Sequence, residues 1–248
     1  MLLSREIMVL TNAIAFNFLL CLFPLLLVVS ALSDQLPGRR AVGALLVLLQ
    51  ELIPFGRDTL AESVRSLSRL SKGFEIASLL LIVWGSSGIF MPVEMVLNKA
   101  WGGGRMHREF WKSRLLAFLL TLAGGLLALL SVALTIMARS YTKEWPILAG
   151  LGVKASALSL TCVLFFLIYR VIPDPPVGTR VAVKAALWAG FAWEAAKYGF
   201  VFQLGRMNLQ AYYGPLAFAV SLVLWAFVSS LVLVFGALMA PVAEPSRR

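Results

Sequence analysis

The stretch RVAVKAALWAGFAWEAAKYGFVFQLGRMNLQAYYG, residues 180–214, decides how the whole chain folds. Residues 181–204 are mostly apolar and form a run long enough to cross a bilayer as a helix. Near the middle of the run stand Glu194, Lys197 and Tyr198, whose spacing places them on one face of a helix. Charged groups at this depth are costly unless they face protein or a water-filled cavity. The stretch therefore predicts a transmembrane helix with a polar site halfway along it.

The composition of the chain indicates a membrane protein with several spans. Of the 248 residues, 60% are hydrophobic and 14% charged, whereas a soluble domain has about 25% charged residues. The mean hydropathy of +0.87 agrees with this class. The formal net charge of +10 is typical of loops that face anionic lipid headgroups. We therefore expect membrane lipids as partners, with anionic headgroups at the basic loops, and no nucleic acid.

Apolar runs separated by turn signals predict an all-α fold, a polytopic membrane helical bundle. The whole chain, residues 1–248, is expected to form a single transmembrane domain. The six predicted transmembrane helices cover residues 8–33, 74–95, 115–137, 148–169, 181–204 and 215–239.

The segment between the first two predicted spans has a different pattern. Residues 41–52 are apolar but only about half as long as a span. Further on, Leu60, Val64 and Leu67 form an apolar stripe opposite charged residues. We therefore predict amphipathic helices over about residues 41–72, which lie in the membrane interface or cap the bundle.

An even number of spans places both chain termini on one side of the membrane. The loop at residues 98–114 and the region 170–184 are rich in Lys and Arg on that same side. The positive-inside rule then favours cytoplasmic termini, provided that the basic segment 38–72 is set apart from the count.

Polar and aromatic residues in or beside four of the predicted spans are the candidates for a solute pathway. They are Asn12, Asn17, Glu94, Asn98, Glu194, Lys197, Tyr198, Tyr213 and Trp225. If they converge, they form a polar cavity in which Glu194 pairs with Lys197 or titrates. The alternative is a purely structural ion pair, with Lys197 reaching toward the interface and the asparagines bonding to neighbouring helices.

Enzymatic chemistry has little support in the residues present. The chain has one histidine, His107, and no paired cysteine motif, phosphate-binding glycine loop or Ser-His-Asp set. We therefore predict no enzyme, and no catalytic residue, metal ligand or cofactor. Ribonuclease activity is also not expected, because metal-dependent cleavage needs clustered His and carboxylate ligands.

Several short motifs, in this order along the chain, resemble the YihY/BrkB family of bacterial inner-membrane proteins. They are residues 12–16 (NAIAF), 21–25 (CLFPL), 98–102 (NKAWG), 169–174 (YRVIPD), 193–197 (WEAAK), 213–214 (YG) and the helix 225–236. The resemblance covers nearly the whole chain. It implies six spans, cytoplasmic termini and a location in the bacterial inner membrane. It implies no settled activity, although transport, envelope and serum-resistance roles have been attached to members, some once labelled ribonuclease BN.

Two functions from different classes remain open at this point. One is the transport of a small polar or ionic solute, or of a lipid, through a cavity between helices. The other is a scaffold or virulence-associated protein of the envelope that has no transport cycle. A cavity that reaches the middle of the bilayer favours the first, and a dry, fully packed bundle favours the second. The solute and the choice between monomer and homo-oligomer cannot be read from the sequence.

Overall fold

The computed structural model describes residues 5–35, 53–68, 90–101, 119, 146–174 and 177–240. All regular secondary structure within these residues is helical. The helices are α1 (Arg5–Gln35), α2 (Arg57–Ser68), α3 (residues 90–100), α4 (Pro146–Val171), α5 (Thr179–Met207), α6 (Leu209–Tyr213) and α7 (Ala217–Met239). A 3-10 turn, Gly214–Leu216, joins α6 to α7 and carries Pro215 near its start.

Four of the predicted spans lie inside observed helices. Helix α1 contains residues 8–33, α4 contains residues 148–169 and α5 contains residues 181–204. The 3-10 turn and α7 together contain residues 215–239. Residues 90–95 of the predicted span 74–95 begin α3. The rest of that span lies outside the described residues. So do residues 115–137, apart from residue 119, which is helical. The all-helical class is confirmed for the described chain, and the count of six spans stays a prediction.

Hydropathy separates the described helices into two groups. The stretches Arg5–Leu22 and Leu209–Met239 are long and apolar enough to cross a membrane, and α4 contributes a shorter apolar stretch, Ala157–Val171. Helix α5 is not in this group although it has 29 residues. Glu194 and Lys197 lower its mean hydropathy, and they are the residues that make this helix the candidate for function.

Helix α7 occupies the centre of the described bundle and contacts both α1 and α5. Its buried polar residues are accommodated within the helix itself. The hydroxyls of Ser221, Ser229 and Ser230 each donate a hydrogen bond of 2.8 Å to the carbonyl oxygen four residues earlier. This local bonding lets a serine lie in an apolar core without an unsatisfied hydroxyl.

Small residues allow α4, α5 and α7 to pack closely. Ala182, Ala185 and Ala189 of α5 are fully buried on one face of the helix. A Cβ atom placed on Gly236 of α7 would lie 2.5 Å from the hydroxyl of Tyr169 and 2.6 Å from the Cβ of Ala189. The backbone approach at this point requires glycine, as is common where membrane helices cross.

Both ends of the described chain lie at the same end of the bundle. The indole N–H of Trp101 is 3.0 Å from the carbonyl oxygens of Ala237 and Ala240, which have no partner within their own helix end. Lys99 forms an ion pair with Glu6, near the start of α1. Since α3 thus contacts the start of α1 and the end of α7, those two ends are neighbours. This arrangement is what an even number of spans requires.

Helix α2 packs at the opposite end of the bundle. Leu60 is 1% exposed and belongs to a core cluster with Ile53 and Leu22, against which Phe218 and Leu222 also pack. Leu22 and Phe218 lie several turns away from the end that holds Glu6 and Ala240. The amphipathic helix predicted within 41–72 is confirmed over Arg57–Ser68, and residues 41–52 lie outside the described residues.

A candidate charged groove on helix α5

Two exposed cations lie near the two ends of the predicted span on α5. Lys184 near its start and Arg206 near its end are exposed and about 33 Å apart along a helix axis, close to the thickness of a hydrocarbon core. The large apolar side chains of Trp188, Phe191 and Phe202 are exposed between them, as expected for a surface in contact with lipid. Glu194 lies about 15 Å beyond Lys184 along the helix axis, near the middle of the predicted span.

Glu194 and Lys197 form an ion pair near the middle of α5. The Oε1 atom of Glu194 is 2.8 Å from the Nζ atom of Lys197, and the side chains are 21% and 12% exposed. The same Oε1 atom accepts no hydrogen bond from the described residues, so the two atoms are close but not aligned as donor and acceptor. The contact is therefore electrostatic.

The ion pair lies on the wall of a groove of about 610 Å³. Its described lining consists of Pro54, Phe55, Glu194, Lys197, Tyr198, Val201 and Phe202, and we call this the α5 groove. Its volume falls within the usual range of small-molecule sites, about 300–1,000 Å³. The groove is open, since Tyr198 and Phe202 on its rim are 62% and 59% exposed.

The wall opposite α5 is formed by the turn that precedes α2. The ring of Phe55 packs against Phe200 of α5 and Phe218 of α7, with centroid distances of 5.5 Å and 5.8 Å. Gly56 has a φ angle of +64°, a conformation that other residues rarely adopt, and its hypothetical Cβ would meet the ring of Phe218. Glycine at this position therefore allows the turn to place Phe55 over the groove.

Buried aromatic residues support α5 from behind. Trp225 of α7 is fully buried between Trp193 and Phe200, with centroid distances of 5.3 Å and 5.1 Å. The rings of Trp193 and Phe165 lie 6.0 Å apart and extend the contact to α4. Trp225 is therefore part of the packing that holds the helix and does not line the groove.

Three of the nine predicted pathway residues come together in the α5 groove: Glu194, Lys197 and Tyr198. Asn12 is exposed on α1. The amide of Asn17 donates a hydrogen bond of 2.8 Å to the carbonyl oxygen of Ala13 in its own helix. Neither asparagine is in the groove lining.

The other predicted residues lie toward the two ends of the bundle. Glu94 and Asn98 of α3 are buried, and the Oδ1 atom of Asn98 accepts a hydrogen bond of 2.9 Å from the backbone N–H of Asp174. Asp174 precedes α5, whose first residue, Thr179, is about 22 Å from Glu194 along the helix axis, so this pair lies toward the end of the bundle where α5 begins. Tyr213 ends α6 at the opposite end and is half-exposed.

Four of the lining residues are not among the predicted pathway residues. Val201 and Phe202 follow Lys197 and Tyr198 by four residues each, so helical spacing already placed them on the same face. Pro54 and Phe55 reach α5 from far along the chain, and no local pattern indicates such a contact.

The fold and the groove define a helical membrane protein that carries a charged groove between its helices. Residues 2–248 match the family model described as virulence factor BrkB, and the chain belongs to this family. A UPF0761 membrane protein of Ralstonia nicotianae is 30% identical over 241 residues, covering 92% of this chain and 54% of the relative. A UPF0761 membrane protein of Chromobacterium violaceum is 25% identical, covering 94% of this chain and 57% of the relative.

This chain thus spans little more than half the length of these two relatives. A third UPF0761 membrane protein, from Xanthomonas campestris, is 30% identical over 185 residues, which are 71% of this chain and 42% of the relative. No solved structure matches the chain. The family and the apolar helices establish a membrane protein.

Proposed function

We propose that this protein transports a small polar or ionic solute, or a lipid, across the membrane by way of the α5 groove. The observation that carries the proposal is the ion pair of Glu194 and Lys197, placed mid-helix on the wall of an open groove of about 610 Å³. Two ionised groups at this depth are expensive, and such groups commonly mark substrate and ion pathways. The proposed role is non-enzymatic.

The alternative is that the ion pair has only a structural role. A structural pair and a functional pair need different surroundings. A structural ion pair gains most when protein encloses it and satisfies its remaining hydrogen-bonding capacity. Here protein does not fully enclose the pair: the side chains of Glu194 and Lys197 are 21% and 12% exposed, and both line the groove. These features favour a pair that exchanges partners with a ligand.

We also propose the bacterial inner membrane as the location, with cytoplasmic termini. The end of the bundle that contains Glu6 and Ala240 also contains four cations, Lys99, Arg170, Arg180 and Lys184. A cluster of cations at one end agrees with the positive-inside rule. Helix α2 then lies on the periplasmic side.

The amphipathic helix α2 supports a second candidate function, an envelope scaffold. Its apolar face packs on the bundle through Leu60, while Asp58, Glu62 and Ser66 are exposed on the other side. A polar helical face at the membrane surface can contact a partner without any transport cycle. Binding of a partner that is lost on changing this face, with no flux of any solute, would favour this function over transport.

Reconstitution into proteoliposomes tests the transport proposal. The purified chain is assayed for uptake of rubidium ion, glycerol and fluorescently labelled phospholipids. We expect flux of one of these classes, and we expect Glu194→Gln or Lys197→Met to abolish it. Lys184→Met is the matched control, since it removes a cation of the same helix outside the groove. Flux that persists in both groove variants would exclude the ion pair from the mechanism.

A further inference from the structure

We propose that the connection between α5 and α7 is a membrane anchor, which binds the layer of lipid phosphates at the surface of one leaflet. The connection comprises residues 206–216, with α6 and the 3-10 turn, and we call it the α5–α7 tip. The inference goes beyond the proposed function, because it concerns a surface outside the lining of the α5 groove and holds with or without transport.

Helices α5 and α7 are antiparallel, so the tip lies at one end of the bundle. The ring of Trp225 on α7 is 5.1 Å from that of Phe200, near the end of α5. Gly236, later on α7, lies against Ala189, which is earlier on α5. Phe218 follows the tip by two residues and packs against the core cluster of α2. The tip and α2 are therefore at the same end of the bundle.

The backbone of the tip is unsuited to the hydrocarbon of a bilayer. Arg206 lies about 33 Å beyond Lys184 along α5, so the tip begins at the level where a span of hydrocarbon ends. Asn208 ends α5 with a φ angle of 43°, and Gly214, with a φ angle of 52°, ends the five residues of α6. So short a helix leaves most of its N–H and C=O groups without a helical partner, which is costly in lipid.

The side chains of the tip are equally unsuited to bulk water. Leu209 is buried, but Tyr212 and Leu216 are 81% and 65% exposed, and Met207 and Tyr213 are exposed as well. Large apolar groups exposed together mark a contact with a membrane or a partner. Tyrosine is enriched at membrane–water interfaces, where its ring meets acyl chains and its hydroxyl meets water. The interface thus suits both the backbone and the side chains of the tip.

The charge of the tip complements lipid phosphates. Arg206 is exposed, and it is the one charged residue between Lys197 and Glu244 in the sequence. Its guanidinium lies over the ring of Phe202, 4.1 Å from the centroid, which orients the cation at the end of α5. A guanidinium can donate two parallel hydrogen bonds to a phosphate. With a cation and no carboxylate, the tip suits an anionic layer.

Electron paramagnetic resonance of a nitroxide spin label tests the inference. The full chain with Tyr212→Cys is labelled and reconstituted into vesicles of phosphatidylethanolamine and phosphatidylglycerol. Collisions with oxygen, which concentrates in hydrocarbon, and with a water-soluble nickel chelate report the depth of the label. Ser66→Cys on α2 and Val223→Cys on α7, both at exposed side chains, are the references for water and hydrocarbon. The labelled wild type measures the background from Cys21 and Cys162.

We expect the label at position 212 to lie between the two references. Collisions with the chelate should be several-fold fewer than at position 66, and collisions with oxygen should be more frequent than at position 66. Chelate collisions as frequent as at position 66 would place the tip in water and overturn the inference. Few collisions with either reagent would mean that protein, such as a second copy of the chain, covers the tip, and a depth equal to that at position 223 would place it in hydrocarbon. Either result would also overturn the inference.

A second substitution tests the contact with phosphate. Adding Arg206→Gln to Tyr212→Cys should raise the chelate collisions at position 212 by about twofold or more, because the tip loses its attraction to the anionic surface. Lys184→Gln is the matched control, since it removes a cation near the other end of α5 and should leave the collisions at position 212 unchanged. Equal depths with and without the Arg206 guanidinium would contradict the binding of phosphate.

Discussion

At the scale of single residues, Gly236 is a position with little room for change. It is buried on α7 where Tyr169 of α4 and Ala189 of α5 meet. The hydroxyl of Tyr169 also donates a hydrogen bond of 2.7 Å to the carbonyl oxygen of Leu233, one turn earlier on α7. One glycine therefore holds three helices at a common crossing point.

Gly236→Ala should destabilise the protein despite the higher helix propensity of alanine. The new Cβ would lie 2.5 Å from the Tyr169 hydroxyl and 2.6 Å from the Ala189 Cβ, and overpacking of this kind costs about 1–3 kcal/mol. Thermal unfolding in detergent micelles measures the effect. Gly199→Ala is the matched control, because no heavy atom lies within 4 Å of its Cβ position. Equal effects of the two substitutions would contradict the crowding.

Tyr169→Phe should lower the free energy of unfolding by about 1 kcal/mol, because it removes a buried hydrogen bond to Leu233. Tyr212→Phe, at a side chain that is 81% exposed, should have no measurable effect. Combining Tyr169→Phe with Gly236→Ala should cost less than the sum of the two, since the hydroxyl is one of the atoms that the new methyl group meets. Strict additivity would show that the two positions do not interact.

Residue-level predictions from the sequence are most direct where the relevant spacing is local. Glu194, Lys197 and Tyr198 fall within two helical turns, so periodicity alone placed them on one face. The hydrogen bond of Asn98 to Asp174 joins residues 76 positions apart, and no periodicity reports it. The spacing therefore placed Glu194 and Lys197 within reach of each other, but it did not show which other polar residues would join them.

At the scale of the element, α2 shows what an amphipathic pattern predicts and what it omits. The apolar stripe through Leu60 predicted a helix with one buried face, and the structure confirms this over Arg57–Ser68. The pattern does not say which surface covers the stripe. That surface consists of Leu22 and the end of α7 around Phe218 and Leu222.

Leu60→Ala should loosen α2 from the bundle. Truncating a buried leucine costs about 2–5 kcal/mol, and α2 is attached through a small core cluster, so local opening is the expected response. Hydrogen exchange in residues 53–68 should become faster, while exchange in α7 should change little. Glu62→Ala, on the exposed face, is the control. Unchanged exchange in Leu60→Ala would mean that this contact does not hold the helix.

Predicted and observed helix ends differ in a consistent way. Helices α1, α4 and α5 extend a few residues beyond the predicted spans, and Arg5, Arg170, Arg180 and Arg206 lie in or near these extensions. A span predicted from hydropathy ends at the first charged residues. The helix itself continues through the interface, where water and headgroups solvate its charged side chains.

At the scale of the whole molecule, the sequence could predict the class because composition alone excludes a soluble core. It could also predict that both ends of the chain lie on one side of the membrane, since an even number of spans requires it. The observed contacts of α3 with Glu6 and with Ala237 agree with that expectation. The central position of α7 could not be derived, because helix neighbours depend on packing between segments distant in the chain.

The sidedness of the molecule leads to a labelling prediction. Ser66 is exposed on α2, at the end of the bundle opposite to Glu6 and Ala240. In intact spheroplasts, Ser66→Cys should react with a membrane-impermeant maleimide added outside. A green fluorescent protein fused to the carboxyl end should fluoresce, as it does in the cytoplasm. The wild type, with half-buried Cys21 and Cys162, is the control for background labelling. Labelling only after lysis would reverse the proposed orientation.

The aromatic packing behind the groove also gives the molecule an optical property. Eight aromatic rings are in successive contact, with centroid distances of 5.1–6.0 Å. In order, they belong to Trp101, Tyr169, Phe165, Trp193, Trp225, Phe200, Phe55 and Phe218. The indoles of Trp193 and Trp225 are close enough for their electronic transitions to couple, and fixed aromatic packing produces a near-ultraviolet circular dichroism signal. This circular dichroism signal therefore reports, without any added label, whether the packing of the bundle changes when a ligand occupies the groove.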